Sequence, residues 1–305
     1  MNRQLKADLA LLFVTIGWGA SFILTKIAIT DLEVYNFLAI RFILASIISS
    51  AFFFKKIISA DKKTIGLGIM LGILLYLHYA FQTVGIQYTT ASKAAFITGL
   101  NVIMVPIFSP ILLKQIPKRA SIIGAILAFI GMGLLSLNDI TSITSINKGD
   151  VLIFGCAIIF ALYIIAVGKY TSKVESISFA VVQLAVVGVL SLITSVAIET
   201  PKMPVSKEAW ISILILSVVC TSAAYIIQNV AQRFTSSTHT ALIYTGEPVF
   251  AAIFGFLFFK EVLSTRGTIG GILILIGMLS AELDIKAIIN KFSKKEIDLD
   301  KDIIE

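Results

Sequence analysis

The chain has 305 residues, of which 57% are hydrophobic and 14% charged, and its mean hydropathy is +0.96. Soluble domains run at roughly 45–50% apolar and about 25% charged, so a water-soluble globular protein is excluded. The net charge of +7 is no nucleic-acid signature, because its lysines and arginines stand mostly between apolar runs, and the two cysteines, Cys156 and Cys220, lie inside such runs with neither a disulfide framework nor a metal spacing.

Ten apolar runs, each long enough to cross a hydrocarbon core of about 30 Å, follow one another along the chain. They lie at roughly 8–29, 34–54, 65–87, 91–113, 120–137, 150–168, 177–198, 208–230, 237–259 and 267–284. The start, MNRQLKADLA, leads into a run too long for a signal peptide and is expected to be retained as the first span. Connections are short, the longest being NDITSITSINKGD and ETPKMPVSKEA, and the charged tail at 285–305 carries no chemistry. With the N-terminus inside, Arg3, Lys6, Lys55, Lys56, Lys62 and Lys63 fall on the inner side. Outer loops hold fewer cations, among them Lys93, Lys148, Lys202 and Lys207. The bias predicts a multi-pass cell-membrane protein with both termini cytoplasmic.

An internal repeat organises these spans. At one ungapped shift Gln82 falls on Gln228, Thr89 on Thr235, Ala95 on Ala241 and Lys114 on Lys260. The same register carries Gly124 onto Gly270 and Gly131-Met132 onto Gly277-Met278. Each copy holds five spans. Because five is odd, the second copy must enter the bilayer from the opposite side, the inverted-topology plan of many secondary transporters. The expected fold is therefore all-α, ten transmembrane helices in an inverted 5+5 repeat around a central cavity. The halves would be 1–140 and 141–284, followed by the tail.

GWGASFILTKIAI, FLAIRFILAS and YTTASKAAFITGLNVIMVPIF in the first half resemble the EamA-type family of the drug/metabolite transporter superfamily, as do Gly246–Val249 (GEPV) and Phe259-Lys260-Glu261 in the second. The resemblance spans everything but the tail. It implies a ten-helix carrier of small metabolites, amino acids or amphipathic amines among them, expected to work outward. It fixes neither substrate nor coupling ion. The first half carries Asn101-Val102 where the second carries Glu247-Pro248, so the carboxylate belongs to one half alone.

Charged groups at membrane depth cost several kcal/mol unless they face a cavity or a partner. Glu247 lies roughly 13 Å inside its span. It either faces a cavity, where it binds a cationic solute or a coupling proton, or makes a fixed internal bond between helices. Pro248 behind it frees a carbonyl in the preceding turn and is the expected hinge. Arg41, within about 7 Å of the same depth, is a partner for Glu247 or a structural arginine held by carbonyls, whereas Lys26 snorkels to the interface. Thr221, Tyr225 and Gln228 share one helix face, with Asn229 beside them; His78 and Gln82 share another, and Trp18, Ser21 and Thr25 a third. Tyr244 stands one turn before Glu247. His78 either relays protons or packs. Trp18, Tyr79, Tyr163 and Tyr244 are candidates for an aromatic lining. Gly68/Gly72 and Gly267/Gly271 match the close-packing spacing.

The expected function is a secondary transporter of amino-acid-like or amphipathic metabolites working by alternating access. Its partners would be a small-molecule substrate, the lipid bilayer and coupling protons, without cofactor, metal or nucleic acid. An intramembrane lipid-modifying enzyme and a non-transporting assembly protein are the alternatives. The chain lacks the H-E-x-x-H, G-x-S-x-G and P-loop motifs that would favour an enzyme, and the assembly reading requires a dry interior.

Overall fold

The computed structural model describes residues 3–89, 91–136, 147–260 and 264–282, and among these every regular element is helical. The helices are α1 (Arg3–Ala28), α2 (Val34–Phe52), the short α3 (Phe54–Ile58), α4 (Lys62–Ile86), α5 (Ala91–Thr98), α6 (Asn101–Leu113) and α7 (Arg119–Ser136). The second half holds α8 (Lys148–Tyr170), α9 (Ser176–Ile198), α10 (Lys207–Ala231), α11 (Ser237–Tyr244), α12 (Glu247–Phe259) and α13 (Thr265–Glu282). Among the described residues nine stretches are long and apolar enough to cross a membrane, with α5–α6 and α11–α12 each counting as one; the apolar part of α13, Thr265–Ser280, is shorter. The boundary expected at 140/141 and the tail at 285–305 lie outside the described residues.

Polarity is distributed as lipid requires. Phe13, Ile47, Ile111 and Ile193 are exposed on the outside, while Thr15, Gln183, Thr221, Gln228 and Asn229 are buried inside. In water such an apolar surface would aggregate; against acyl chains it is solvated. Helix starts are capped where the backbone would otherwise be left unbonded. Asp61 accepts from the Thr64 N–H, Ser206 from Ala209, Ser236 from His239, and Asn147 forms a capping box with Asp150.

Four pairs of helices cross antiparallel between the halves. On α7 and α13, a Cβ on Gly277 would lie 2.6 Å from the Gly124 carbonyl and one on Gly270 2.5 Å from that of Gly131. On α2 and α9, the backbone N–H groups of Tyr35 and Asn36 donate to Glu199 while Lys56, past the other end of α2, bonds Glu175. Gly85 meets Ile153 on α8 and His78 meets Cys156, so α4 and α8 also oppose. On α1 and α10, Trp18 bonds Cys220 and the Asp31 carboxylate accepts from the Ser206 N–H. By contrast α4 and α9 run parallel, with Gly68 on Val182 and Gly72 on Val186. The Gly68/Gly72 expectation is thus met by a tight contact. On α13 the close approach falls to Gly270 and Gly277, and a Cβ on Gly271 would meet nothing within 4 Å.

The fourth and ninth spans are interrupted at the same point of the repeat. α5 gives way to α6 at Gly99-Leu100, and α11 to α12 at Thr245-Gly246. The chain stays right-handed through both joints, with φ/ψ of −56/−20 at Leu100 and −68/−17 at Gly246, and tightens into i→i−3 bonds. The break therefore precedes Pro248, which sits in the first turn of α12, where its missing N–H costs nothing. The first half has the same joint with Val102 at the matching place, so the proline is not its sole cause.

Candidate functional site

Nine of the sequence-derived residues meet around one cavity between the two halves: Trp18, Ser21 and Thr25 of α1, Arg41 of α2, His78, Tyr79 and Gln82 of α4, Tyr225 of α10 and Glu247 at the start of α12. All the unfilled space there, the narrow gaps between wall atoms and the open solvent at its mouth included, comes to about 750 Å³. Its wall continues through Thr25 to exposed Lys26 and half-buried Ile29, so it opens toward the end of the bundle where α1 finishes. A second space of about 380 Å³ adjoins it, sharing Thr98, Phe160 and Glu247, and is lined by Tyr244, Pro248 and Asn101 as well. Asn101 is the repeat equivalent of Glu247; it is buried and donates to the Thr98 carbonyl. Gln228, by contrast, is not part of either wall: it is fully buried and donates to Gln232.

The cavity holds its charge without neutralising it. Arg41 is buried, and its Nε donates to the Thr221 hydroxyl at 2.8 Å. The guanidinium carbon lies 5.2 Å from the Tyr79 ring centre and 5.4 Å from that of Phe42, close enough for cation–π attraction. Among the described residues no carboxylate lies within ion-pair distance of it. Arg41 therefore neither pairs with Glu247 nor leans on backbone carbonyls, the two alternatives the sequence offered; a hydroxyl and ring faces hold it instead.

Aromatic rings form the floor. Trp18 packs on Tyr244 and Tyr225, with ring centres 4.8 and 5.6 Å apart, and its Nε1 donates to the Cys220 carbonyl at 2.9 Å. The Tyr225 hydroxyl donates to that of Tyr79 at 2.9 Å. Tyr163 sits behind, donating to Gln183, which in turn donates to Asn229. These bonds hold the rings in fixed orientations at low entropic cost. His78 is buried, stacked on Phe160 at 4.4 Å, with Nδ1 3.1 Å from the Cys156 sulfur. Its ring is packed as well as cavity-lining.

Three features escaped the sequence. Phe160 lines both spaces, and an additional phenylalanine in an apolar span gives no signal. Thr98 had one: the repeat register places it on Tyr244. The middle of α10, Leu216–Ala223, is a π-helical turn. This widened turn carries both Cys220 and Thr221, the acceptors for Trp18 and Arg41; such bulges are frequent at functional sites. Among the described residues no cluster of three or more His, Cys, Asp or Glu could hold a metal ion.

The model of the EamA-like transporter family matches residues 5–137 and again residues 147–281. An uncharacterized transporter of Archaeoglobus fulgidus is 32% identical over 281 residues, covering 92% of this chain and 87% of its own. The uncharacterized transporter YyaM of Bacillus subtilis is 26% identical and covers 96% and 98%. A solved crystal structure superposes with a TM-score of 0.76 over 90% of this chain and 97% of its own, at 16% identity, which is a likeness of fold. The apolar helices, the paired halves with their shared cavity and the twofold family match together make this chain a multi-pass membrane protein that belongs to the EamA-like transporter family.

Proposed function

We propose that the chain is a secondary transporter that moves a small amino-acid-like or amphipathic metabolite, outward across the cell membrane, by alternating access. Ten helices cross the bilayer in two five-helix halves of opposite sense, with both termini cytoplasmic. The antiparallel crossings of α1 with α10, α2 with α9, α4 with α8 and α7 with α13 support that arrangement. So does the way the Gly124–Gly277 and Gly131–Gly270 contacts exchange when the repeat register is applied.

One observation carries the functional reading: a cavity walled by both halves holds an acid, Glu247, and a buried cation, Arg41, with no ion pair between them. A permanent structural pair would satisfy both charges internally. Separate charges over an aromatic floor suit a solute with a cationic group and an apolar body, the ammonium at Glu247 and any carboxylate at Arg41. Glu247 also accepts the coupling proton when solute leaves. The cavity disfavours the assembly-protein reading, which needs a dry interior.

The test is flux in right-side-out and inside-out vesicles across a metabolite panel, with and without a pH gradient. Glu247→Gln removes a charged acceptor worth about 1.5–3 kcal/mol, so transport of the best substrate falls about ten- to a hundredfold, while the protein still purifies as a folded monodisperse species. Undiminished, gradient-driven flux in that variant overturns the role of Glu247.

A further inference from the structure

The repeat register matches one place at each end of the bundle, laying Thr89 on Thr235 and Gln87 on Arg233. At the end where α1 finishes, side chains close that place. Lys93 on α5 bonds Asp150 on α8 at 2.6 Å, and the Thr89 hydroxyl donates to the same carboxylate at 2.7 Å. At the end where α1 starts, the equivalent place is open. A pocket there is walled by the turn between α6 and α7, by the turn between α10 and α11 with the start of α11, and by Gln4 of α1 and Ser109 of α6. All its unfilled space, gaps between wall atoms and the open solvent at its mouth included, comes to about 1180 Å³.

The wall is cationic. Exposed Lys118 and Arg233 stand on it, and among the described residues no carboxylate does; Asp8, 3.7 Å from His239, is not part of it. The repeat counterparts of the two cations are neutral, Ser264 and Gln87, so the charge belongs to this end alone. The hydroxyls of Ser109 and Thr235 are enclosed without a hydrogen-bond partner among the described residues, and Ser109 is only 3% exposed. A buried hydroxyl left unbonded is costly and marks room for a partner the chain does not supply. At the start of α11 the Ser236 hydroxyl accepts from the His239 N–H and the Ser236 carbonyl from Thr240, which leaves the Ser237 and Thr238 N–H groups as donors. Because α6 and α10 finish at this same end, helix dipoles offset one another, and the side chains and these N–H groups carry the attraction. Two cations, free N–H groups and hydroxyls suit a phosphate, with its several acceptor oxygens. The rim identifies what carries it. Ile116 and Phe234 on the wall are 88% and 43% exposed, beside the apolar flank that α6 shows at Ile111 and Leu112. A soluble anion makes no use of such a rim, whereas an acyl chain does. We propose that the pocket seats the headgroup phosphate of an anionic phospholipid from the leaflet at that end. Lys118 and Arg233 hold the phosphate, Ser109 and the N–H groups of α11 complete its shell, and the lipid chain lies over Ile116 and Phe234. A lipid so held ties the α6–α7 turn to α11, the half-helix that leads into Glu247.

The pocket shares no wall residue with the central cavity, and its test needs no substrate, so this inference and the transport reading fail separately. Native mass spectrometry of the full chain, released from mild detergent, measures binding of phosphatidylglycerol. Phosphatidylcholine with the same chains, whose own cation offsets its phosphate, is the reference. The wild type retains one phosphatidylglycerol about tenfold more tightly than phosphatidylcholine. Lys118→Gln with Arg233→Gln weakens that binding about twentyfold, at roughly fivefold for each basic side chain. Ser109→Ala, which removes no hydrogen bond made among the described residues, weakens it about threefold. Lys62→Gln with Lys63→Gln removes the same charge from the exposed start of α4 at the same end and leaves binding unchanged. Equal weakening by the two double variants, or no preference of the wild type for phosphatidylglycerol, overturns the site. A wild type stabilised against heat by inorganic phosphate but not by phosphatidylglycerol overturns the lipid as occupant in favour of a soluble anion.

Discussion

At the scale of single residues, sequence reasoning did best where a side chain was costly. Glu247 and Arg41 stand out because charge at membrane depth has to be accommodated, and both line the same cavity. What spacing alone cannot supply is the partner. Arg41 lies at the right depth for Glu247 but bonds Thr221, because the π-helical turn of α10 swings that hydroxyl into reach. Gln228 shares a helix face with Tyr225 by periodicity, yet the widened turn just before them and the competing Gln232 keep it off the cavity wall. Outside the membrane Asp31 allows a prediction with a definite sign. Its carboxylate accepts from the Ser206 N–H at 2.6 Å and the Val205 N–H at 3.1 Å, joining the end of α1 to the start of α10. The Ser206 backbone bond, reinforced by the Ser206 side chain, the Val205 N–H and nearby Lys202, holds the carboxyl below its ordinary value against the cost of desolvation. A depressed folded-state value stabilises the fold above the unfolded value and loses that contribution as pH falls through the folded one. Melting followed in detergent should therefore drop as pH is lowered below about 4, and Asp31→Asn, less stable at neutral pH, should show a smaller acid drop.

At the scale of elements, the all-helical, multi-span character was legible because a run of about twenty apolar residues has few other readings; of the ten expected spans, nine are long and apolar enough among the described residues. The joints were not. The interruption of the ninth span was anticipated at Pro248 and that of the fourth was not, yet the first half makes the same joint without a proline at that place. Its cause is the tightened i→i−3 turn itself, which brings Thr98 and Tyr244 to the lining. The glycine spacing was half informative. Gly68 and Gly72 seat Val182 and Val186 as expected, whereas α13 uses Gly270 and Gly277 because its partner presents glycines seven apart, at 124 and 131. Gly277→Ala places a methyl 2.6 Å from the Gly124 carbonyl, on a backbone that cannot yield cheaply. That substitution should cost about 1–3 kcal/mol and lower the melting temperature in detergent by several degrees. Gly66→Ala, with nothing within 4 Å of its new methyl, should leave it unchanged or slightly raised.

At the scale of the whole molecule, the repeat was the most legible feature, since an ungapped register through two loops constrains the arrangement more than any single motif does. The proposed opposite sense of the halves makes a prediction on topology. Cysteines placed at Ser59 and Met203, both exposed, should react oppositely with a membrane-impermeant maleimide on intact cells, Met203→Cys at once and Ser59→Cys only after permeabilisation. Cys156 and Cys220 are buried and add little background. Labelling of both from the same side would reverse the assignment of one half. The repeat also shows in two lysines. α6 stops at Lys114 and α12 at Lys260, each with φ of 55°, the left-handed form that glycine adopts freely and lysine only at about 1 kcal/mol. Because α6 and α12 head for opposite ends of the bundle, these abrupt stops plant one ammonium at each rim. Ammonium groups so placed should favour a bilayer that matches their separation, so lipids much shorter or longer than that span should strain the pair before they disturb the cavity between them.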